Sequence, residues 1–248
     1  MRCSDCGKEI AEDFSYCPYC SSILGEADGE HFRRHGHRLR VRGKVKKALE
    51  AYKKAAELLP DDAYLFRCLG DLYYLTGEPE EAIQAYRHSL SLEEDSSFTW
   101  YDLGVAYYRS GYVKKAIGAF ERCLEIDPDS AMAYYWLGIA FYHRGSIPRA
   151  KECYEKLLAI HPESKIAHYH LGIVCNALGD YAMAIENFEV IEKRNPEDAA
   201  LMYHMGYAYF HLHDVTKAVV KLRRALELNP QHRAAQLLLD SYMDSKLP

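Results

Sequence analysis

The sequence predicts an all-α protein made of stacked helical units, and three sets of regularly spaced residues predict it. The first set is a glycine that recurs every 34 residues: Gly36, Gly70, Gly104, Gly138, Gly172 and Gly206. Since glycine makes up about 7% of average proteins, five further coincidences have a chance probability on the order of 10^-6. The second set is an alanine twelve residues after each glycine, and the third is a proline twenty-four residues after five of the six. A chain with this period forms a stack of units rather than a globule.

Other positions of the unit indicate how it folds. Small residues such as Gly138 and Ala150 are expected where two helices approach closely, because larger side chains would separate them. An aromatic residue follows each alanine by four positions, except for Leu222 in the last unit. A second glycine, seven residues after the first, is expected to form the turn, and His213 replaces it in the last unit. The proline is expected to stop a helix, and Glu94 takes its place in the second unit.

These spacings resemble the tetratricopeptide repeat, a unit of two antiparallel helices joined by a tight turn. The resemblance covers residues 29–232 and implies an α-solenoid of six repeats. Residues 233–248 begin a seventh unit, with Leu239 in the leucine position but Asp240 where glycine would stand. Because no second helix follows, this segment is predicted to be a C-terminal capping helix.

Composition and charge favour some classes of protein over others. The formal net charge is -5 and the isoelectric point is about 6.2, which argues against a dedicated nucleic-acid binder. No apolar segment follows Met1, and the most apolar stretch, 131–142, is too short to cross a bilayer. We therefore expect a soluble, cytoplasmic protein. No phosphate-binding loop, nucleophile motif or open metal site is recognisable, so no enzymatic activity is predicted.

Residues 1–24 contain two Cys-x-x-Cys pairs, Cys3 with Cys6 and Cys17 with Cys20. Four thiolates at this spacing suit a closed, tetrahedral Zn²⁺ site. The pattern resembles the small zinc ribbons found at the ends of many proteins, although Ser21 stands where their second glycine is expected. Iron, disulfides and a thioredoxin-like redox site are the alternatives. Residues 25–28 are predicted to be a linker.

The remaining cysteines and the histidines favour structural roles. Cys68, Cys123, Cys153 and Cys175 stand where other units carry small or apolar residues, which is typical of core cysteines in a reducing compartment. His170 and His204 occupy equivalent positions in adjacent repeats, and we expect a packed or solvated pair rather than a metal site.

The resemblance implies that positions three before, one after and four after each glycine face a concave groove. Half of these eighteen positions are aromatic: Tyr74, Tyr101, Tyr108, Tyr135, Tyr142, Tyr169, Tyr203, Tyr207 and Phe210, with Asn176 also in the set. Tyrosine combines a rigid apolar ring with a polar tip and is frequent in binding hot spots. The alternative is that some of these rings only pack against neighbouring repeats.

The first repeats carry positive charge at the groove positions, through Arg33, Arg40 and Arg67. Residues 29–62 contain ten lysines and arginines and five acidic residues. This charge predicts a partner segment that is acidic at one end and apolar further along, or else is only a solvated helix surface.

The sequence therefore predicts a non-enzymatic scaffold that binds a segment of another protein in an aromatic groove. One alternative is an RNA-binding or ribosome-associated factor, since aromatic faces beside basic residues can stack unpaired bases. A second alternative is a homo-oligomer in which a sister chain fills the groove.

Overall fold

The computed structural model describes residues 1–3, 6–11, 17–20 and 28–244. Ser21 and most of the predicted 25–28 linker lie outside the described residues. The chain divides into two compact units, which we call unit 1 (Met1–Pro128) and unit 2 (Asp129–Pro248). The division falls between the third and fourth repeats.

Unit 1 contains three helix pairs. Their bounds are α1 Gly29–Val41, α2 Val45–Leu58, α3 Ala63–Thr76, α4 Pro79–Leu92, α5 Ser97–Arg109 and α6 Val113–Ile126. Before α1, the short described segments contain one isolated antiparallel bridge, between Arg2 and Glu9.

Unit 2 contains three further pairs and a final helix that packs against α12. Their bounds are α7 Ala131–His143, α8 Ile147–Ile160, α9 Lys165–Leu178, α10 Tyr181–Glu192, α11 Ala199–His211, α12 Val215–Leu228 and α13 Arg233–Asp244. All the regular elements among the described residues are helices, and the predicted all-α fold class is confirmed.

Side-chain caps define the starts of the first helices of several pairs. The Asp62 carboxylate accepts a hydrogen bond from the Leu65 N–H at 2.9 Å, and Asp198 accepts from Ala200 and Leu201. Such caps satisfy N–H groups that have no partner inside the helix. The polar residue two positions after the proline therefore helps to fix where these two repeats begin.

The recurring glycine lies where the two helices of a pair touch. A Cβ atom placed on Gly138 would stand 2.8 Å from the ring of Tyr154, sixteen residues later. The same contact joins Gly104 to Phe120 at 2.5 Å. The predicted role of the small residue is therefore confirmed, and the aromatic after each alanine is the residue that fills the space.

The second glycine of the unit adopts the left-handed conformation that ends the first helix of the pair. Gly77 has φ +82°, and its N–H is bonded to the Tyr74 carbonyl. In the last repeat His213 adopts the same region, with φ +59°. Glycine reaches this region without steric cost, whereas a side chain is strained there.

In unit 1, each of the first two pairs buries its core between its own two helices and the helix that follows. In unit 1, Tyr52, Leu65 and Leu69 belong to one buried cluster, and Tyr86 with Leu103 belongs to the next. The cysteines Cys68, Cys123, Cys153 and Cys175 are buried, in keeping with their predicted structural role. These cores hold α1, α3 and α5, and in unit 2 α7, α9 and α11, in the positions that build the surfaces described below.

Candidate functional site

The four N-terminal cysteines come together in the structure. Their sulfur atoms all lie within 4.8 Å of one another, and the Cys3 to Cys20 and Cys6 to Cys17 pairs are 3.4 and 3.5 Å apart. Cys3 and Cys17 are buried beside Ile10. The Gly7 N–H donates a hydrogen bond to the Cys3 carbonyl at 2.9 Å. This cluster could bind a metal ion.

Unit 1 contains a cavity of about 300 Å³, here called the unit 1 pocket, which opens between α1, α3 and α5. Its lining residues are Arg40, Asp71, Tyr74, Leu75, Tyr86, Tyr101, Asp102 and Val105. Three of them, Arg40, Tyr74 and Tyr101, are groove residues predicted from the sequence. Tyr108 of α5 is partly buried outside this lining.

Three of the residues that line the unit 1 pocket, Arg40, Asp71 and Asp102, are charged. The Tyr86 hydroxyl donates to Asp71 at 2.9 Å, and Arg67 Nε donates to Asp102 at the same distance. Burial raises the pKa of Asp71, and burial together with the nearby Asp71 charge raises the pKa of Asp102 to about 6. Each carboxylate therefore has one partner, but neither is fully solvated.

The three predicted arginines differ in their surroundings. Arg33 is paired with Glu30 at 2.8 Å and with Asp62 at 3.1 Å, and Arg67 is paired with Asp102. Arg40 forms no ion pair within the described part of the chain, and its Nε atom is buried without a hydrogen-bond partner. Two of the three predicted groove arginines are therefore already paired with carboxylates.

Unit 2 contains the corresponding cavity, here called the unit 2 pocket, of about 270 Å³. It is lined by Tyr142, Ile173, Asn176, Ala177, Tyr203, His204 and Tyr207. Each of these residues lies three repeat lengths after a residue of the unit 1 pocket. Tyr142 corresponds to Arg40, Ile173 to Asp71, and His204 to Asp102. The two pockets are thus the same place in the repeat with different side chains.

Rings pack densely around the unit 2 pocket. His204 stacks on Phe188 with the ring centres 5.9 Å apart, and it meets the edge of Tyr169 at the same distance. Burial lowers the pKa of His204 to about 4, with a smaller contribution from His232. His204 is therefore neutral near pH 7, and the lining of the pocket carries no formal charge.

The preceding repeat shows the same packing. His170 stacks on Tyr154 at 5.4 Å and meets the edge of Tyr135 at 5.5 Å. Burial lowers the pKa of His170, as it does for His204. The two histidines are thus packed against aromatic rings, as the sequence led us to expect.

The predicted groove residues of unit 2 are not equally accessible. Tyr135, Tyr169 and Tyr203 are partly buried, and burial raises the pKa of each. Asn176 is only 7% exposed, and its Nδ2 donates to the His204 carbonyl at 3.1 Å. Phe210 is partly exposed, next to His211. Several of these side chains therefore contribute to packing as well as to the surface.

One periodic set of exposed residues was not identified from the sequence. Six positions before the recurring glycine stand Tyr64 and Phe98 in unit 1 and Met132 and Ile166 in unit 2, and all four are exposed. Phe98 is 67% exposed and has the Arg67 guanidinium 5.4 Å above its ring. The signal that could have revealed them is the same 34-residue period, applied to apolar residues in the first turn of each first helix.

Within the described residues, none of the helices combines the length and the apolar character needed to cross a bilayer.

Comparison with known families identifies the repeat. Models described as TPR repeat and tetratricopeptide repeat match residues 36–77, 70–111, 97–130, 131–164 and 177–233. The chain therefore belongs to the tetratricopeptide repeat family. Members of this family are generally non-enzymatic scaffolds for protein–protein interaction.

Solved structures share the fold. YrrB, described as a TPR protein with an unusual peptide-binding site, is 23% identical over 77% of this chain and 98% of its own, with a TM-score of 0.71. MamA is 25% identical over 73% and 96%, with a TM-score of 0.60. The pilF protein of Pseudomonas aeruginosa is 17% identical over 86% and 97%, with a TM-score of 0.70. A search of curated proteins gave no match.

Proposed function

We propose that the protein is a scaffold that binds an uncharged, apolar segment of another protein on the aromatic surface of unit 2. The observation that carries this proposal is the unit 2 pocket, where Tyr142, Tyr203 and Tyr207 surround a cavity without formal charge. An apolar side chain entering this cavity would be removed from water without leaving a charged group unpaired.

The tyrosines of this surface suit recognition because their hydroxyl groups can bond to a ligand while their rings exclude water. Their rings are already held by neighbours, as in the contact of Tyr203 with His232 at 4.8 Å. Binding to such pre-organised rings costs little side-chain entropy. The unusual peptide-binding site described for YrrB is consistent with this use of the fold.

The predicted acidic character of the partner has less support. Arg33 and Arg67 are paired with carboxylates, so they offer little net charge to an acidic segment. For this reason we expect the main contact in unit 2, with a segment that carries no charge where it binds.

The experiment begins with a photoreactive phenylalanine analogue in place of Tyr142, to cross-link the partner segment. The segment is then synthesised, and its dissociation constant is measured with the unmodified protein. We expect Tyr203→Ala and Tyr207→Ala each to weaken binding by about 1 to 2 kcal/mol, because each removes a ring of the pocket. Tyr112→Ala, which alters an exposed tyrosine outside the surface, is the matched control.

Other outcomes would replace the proposal. A cross-link that is lost on nuclease treatment, with affinity falling steeply with salt, would indicate RNA binding. A cross-link to a second copy of the chain, with a dimer in light scattering, would indicate a homo-oligomer. Equal affinities for all three tyrosine variants and the unmodified protein would contradict binding at this surface.

We further propose that the N-terminal cysteines hold one Zn²⁺ ion as a structural site. Sulfur ligands about 2.3 Å from a tetrahedral zinc stand about 3.8 Å apart, and the observed sulfur separations fit such a centre. Four cysteine ligands would leave no coordination position for a substrate. The metal would supply most of the stability of this short segment, which has a small core of Cys3, Ile10, Cys17 and Cys20.

Metal analysis of the protein purified under reducing conditions tests the zinc proposal. We expect one zinc per chain, and less than a tenth of that in Cys17→Ser. Cys123→Ser is the control, since it alters a buried cysteine in α6 and should leave the zinc content unchanged. Stoichiometric iron, or no metal, would contradict the assignment.

A further inference from the structure

The unit 1 pocket is lined by two acidic side chains, Asp71 and Asp102, and one basic side chain, Arg40. Asp71 and Asp102 lie close enough for the charge of Asp71 to raise the pKa of Asp102. Arg67 is already bonded to Asp102. Arg40 is near enough to Asp71 to lower its pKa but forms no ion pair with either acid among the described residues. Arg40 and Asp71 are thus opposite charges that face one cavity without touching.

The formal charges of the three lining groups cancel once Arg67, which pairs with Asp102 from outside the lining, is included. A charged ligand would therefore approach a like charge whichever sign it carried: a cation would meet Arg40, and an anion would meet Asp71 and Asp102. A neutral ligand with its own donors and acceptor avoids this repulsion. It can also form charge-assisted hydrogen bonds, which are about twice as strong as neutral ones.

The hydrogen-bonding capacity of the pocket defines the ligand further. Two carboxylates can accept hydrogen bonds, and the guanidinium of Arg40 can donate one. A primary carboxamide offers the complementary set, with two N–H donors on one nitrogen and one carbonyl acceptor. A hydroxyl group has only one donor, and a secondary amide, such as the peptide backbone, also has only one.

The walls of the pocket suit the carbon atoms that would carry such a group. Tyr74 and Tyr101 present rings, and Leu75 and Val105 present aliphatic side chains. A cavity of about 300 Å³ is at the lower end of the range for small-ligand pockets, which is large enough for one side chain.

We infer that the unit 1 pocket binds a primary carboxamide, supplied by an asparagine or glutamine side chain of the partner segment. The identity of the donor rests on the proposed function, whereas the chemistry of the pocket does not. In the complex, Asp71 and Asp102 accept from the amide nitrogen and Arg40 donates to its carbonyl oxygen.

Four small probes of nearly the same shape test the inference on the full chain at pH 7.5. They are benzamide, N-methylbenzamide, benzamidine and benzoate, which present a primary amide, a secondary amide, a cation and an anion on one ring. Binding is followed by the NMR signals of ¹³C-labelled tyrosine rings. We expect benzamide to have a dissociation constant at least tenfold lower than that of benzamidine or benzoate. N-methylbenzamide should bind more weakly than benzamide, because it has lost one N–H donor.

Two charge variants give a readout that a purely structural role would not produce. Asp71→Asn leaves an excess positive charge in the pocket, so benzoate should become the preferred probe. Arg40→Gln leaves an excess negative charge, so benzamidine should become the preferred probe. Arg33→Gln removes an arginine that lies outside the lining, and it should not change the order of the probe affinities.

The outcomes separate the possibilities. Tightest binding of benzamidine or of benzoate by the unmodified protein would overturn the inference. The absence of binding by all four probes would also overturn it, at a probe concentration on the order of 20 mM, where the weakest affinities that such titrations measure would still be detected. Preference for N-methylbenzamide would reassign the ligand to a peptide backbone and would also overturn it. If a charge variant fails to fold, the order of the four probe affinities measured with the unmodified protein still tests the inference. Loss of this inference would leave the Tyr203 and Tyr207 test of unit 2 unaffected.

Discussion

The two pockets occupy the same place in the repeat, three repeat lengths apart, but their chemistry is opposite. In unit 1 the pocket contains Arg40, Asp71 and Asp102, and in unit 2 the equivalent residues are Tyr142, Ile173 and His204. The helix pairs around them are built in the same way, because in both units the recurring glycine meets the side chain sixteen residues later, which is a ring in every repeat except the last, where it is Leu222. The comparison shows that the repeat determines where a pocket forms, and a few variable positions determine what it can bind.

The largest expected effect is an opposite response of the two units to acid. The pKa of His204 is about 4 in the folded protein and has its ordinary value of 6.5 in the unfolded chain. Between pH 4 and pH 6.5 the unfolded state therefore binds more protons than the folded state. Unit 2 should therefore lose stability as the pH falls from 6.5 to 4, by about 3 kcal/mol from this residue. The pKa of Asp102 is about 6 when folded and ordinarily 3.8, so the folded state binds the proton. Unit 1 should gain a similar amount as the pH falls from 6 to 4.

The chain provides one tryptophan in each unit to measure this, Trp100 in α5 and Trp136 in α7. In the variants Trp136→Phe and Trp100→Phe, urea unfolding followed by fluorescence reports units 1 and 2 separately. His204→Phe should reduce the acid sensitivity of unit 2, with the part that comes from His170 retained, and Asp102→Asn should reduce the acid gain of unit 1, with the part that comes from Asp71 retained. Movement of both midpoints in the same direction with acid would contradict the comparison.

The next largest effect is expected from substitutions of the recurring glycine, which test whether the helix pairs of the two units pack in the same way. Gly104→Ala in unit 1 and Gly172→Ala in unit 2 would place a Cβ atom 2.5 and 2.4 Å from the rings of Phe120 and Phe188. Each should cost about 1 to 3 kcal/mol, and the two costs should be similar. Gly118→Ala is the matched control, since no atom lies within 4 Å of its added Cβ. It should stabilise α6 by up to about 1 kcal/mol.

Thermal unfolding of the three glycine variants provides the measurement. A loss of stability in Gly118→Ala as large as that in Gly104→Ala would show that helix contact is not the cause. Clearly unequal costs at Gly104 and Gly172 would show that the units differ in packing as well as in pocket chemistry.

The smallest effect concerns the arginines of unit 1. Arg67→Gln should cost about 1 to 2 kcal/mol at pH 7.5, because Asp102 would lose its partner in a partly buried site. Arg33→Gln should cost less than about 1 kcal/mol, since its pairs with Glu30 and Asp62 are closer to the surface. Urea unfolding monitored at Trp100 measures both. A greater loss from Arg33→Gln would place the more important ion pair outside the pocket.

Much of the fold could be predicted because the residues that determine it lie within one 34-residue repeat and recur in every repeat. The recurring glycine, the alanine and the following aromatic are near in sequence and come into contact inside one helix pair, as Gly138 and Tyr154 do. The turn at Gly77 and its counterparts follows from the same period. The gathering of the four cysteine sulfurs also follows from their spacing.

The chemistry of the pockets was harder to predict, because it depends on contacts between neighbouring repeats. Arg67 is bonded to Asp102, which is 35 residues away, so the positive charge of the first repeats could not be judged by counting residues. The burial of Asn176 depends in the same way on α11, through the His204 carbonyl. The exposed apolar residues six positions before the recurring glycine, such as Phe98 and Met132, follow the same 34-residue period. They were missed because the groove was predicted only from the positions three before, one after and four after the glycine.

The contact between the recurring glycine and its ring also determines how the chain can change in length. Both partners, such as Gly104 and Phe120, lie inside one unit and are sixteen residues apart. Duplication or deletion of a whole 34-residue repeat therefore preserves every such contact, and only the contacts between neighbouring repeats at the junction have to be rebuilt. Insertion of a single residue inside a helix rotates all that follows by about 100° and removes the ring from its glycine. Gene duplication can thus add or remove complete binding positions, while each position changes its specificity through side chains that face the pocket.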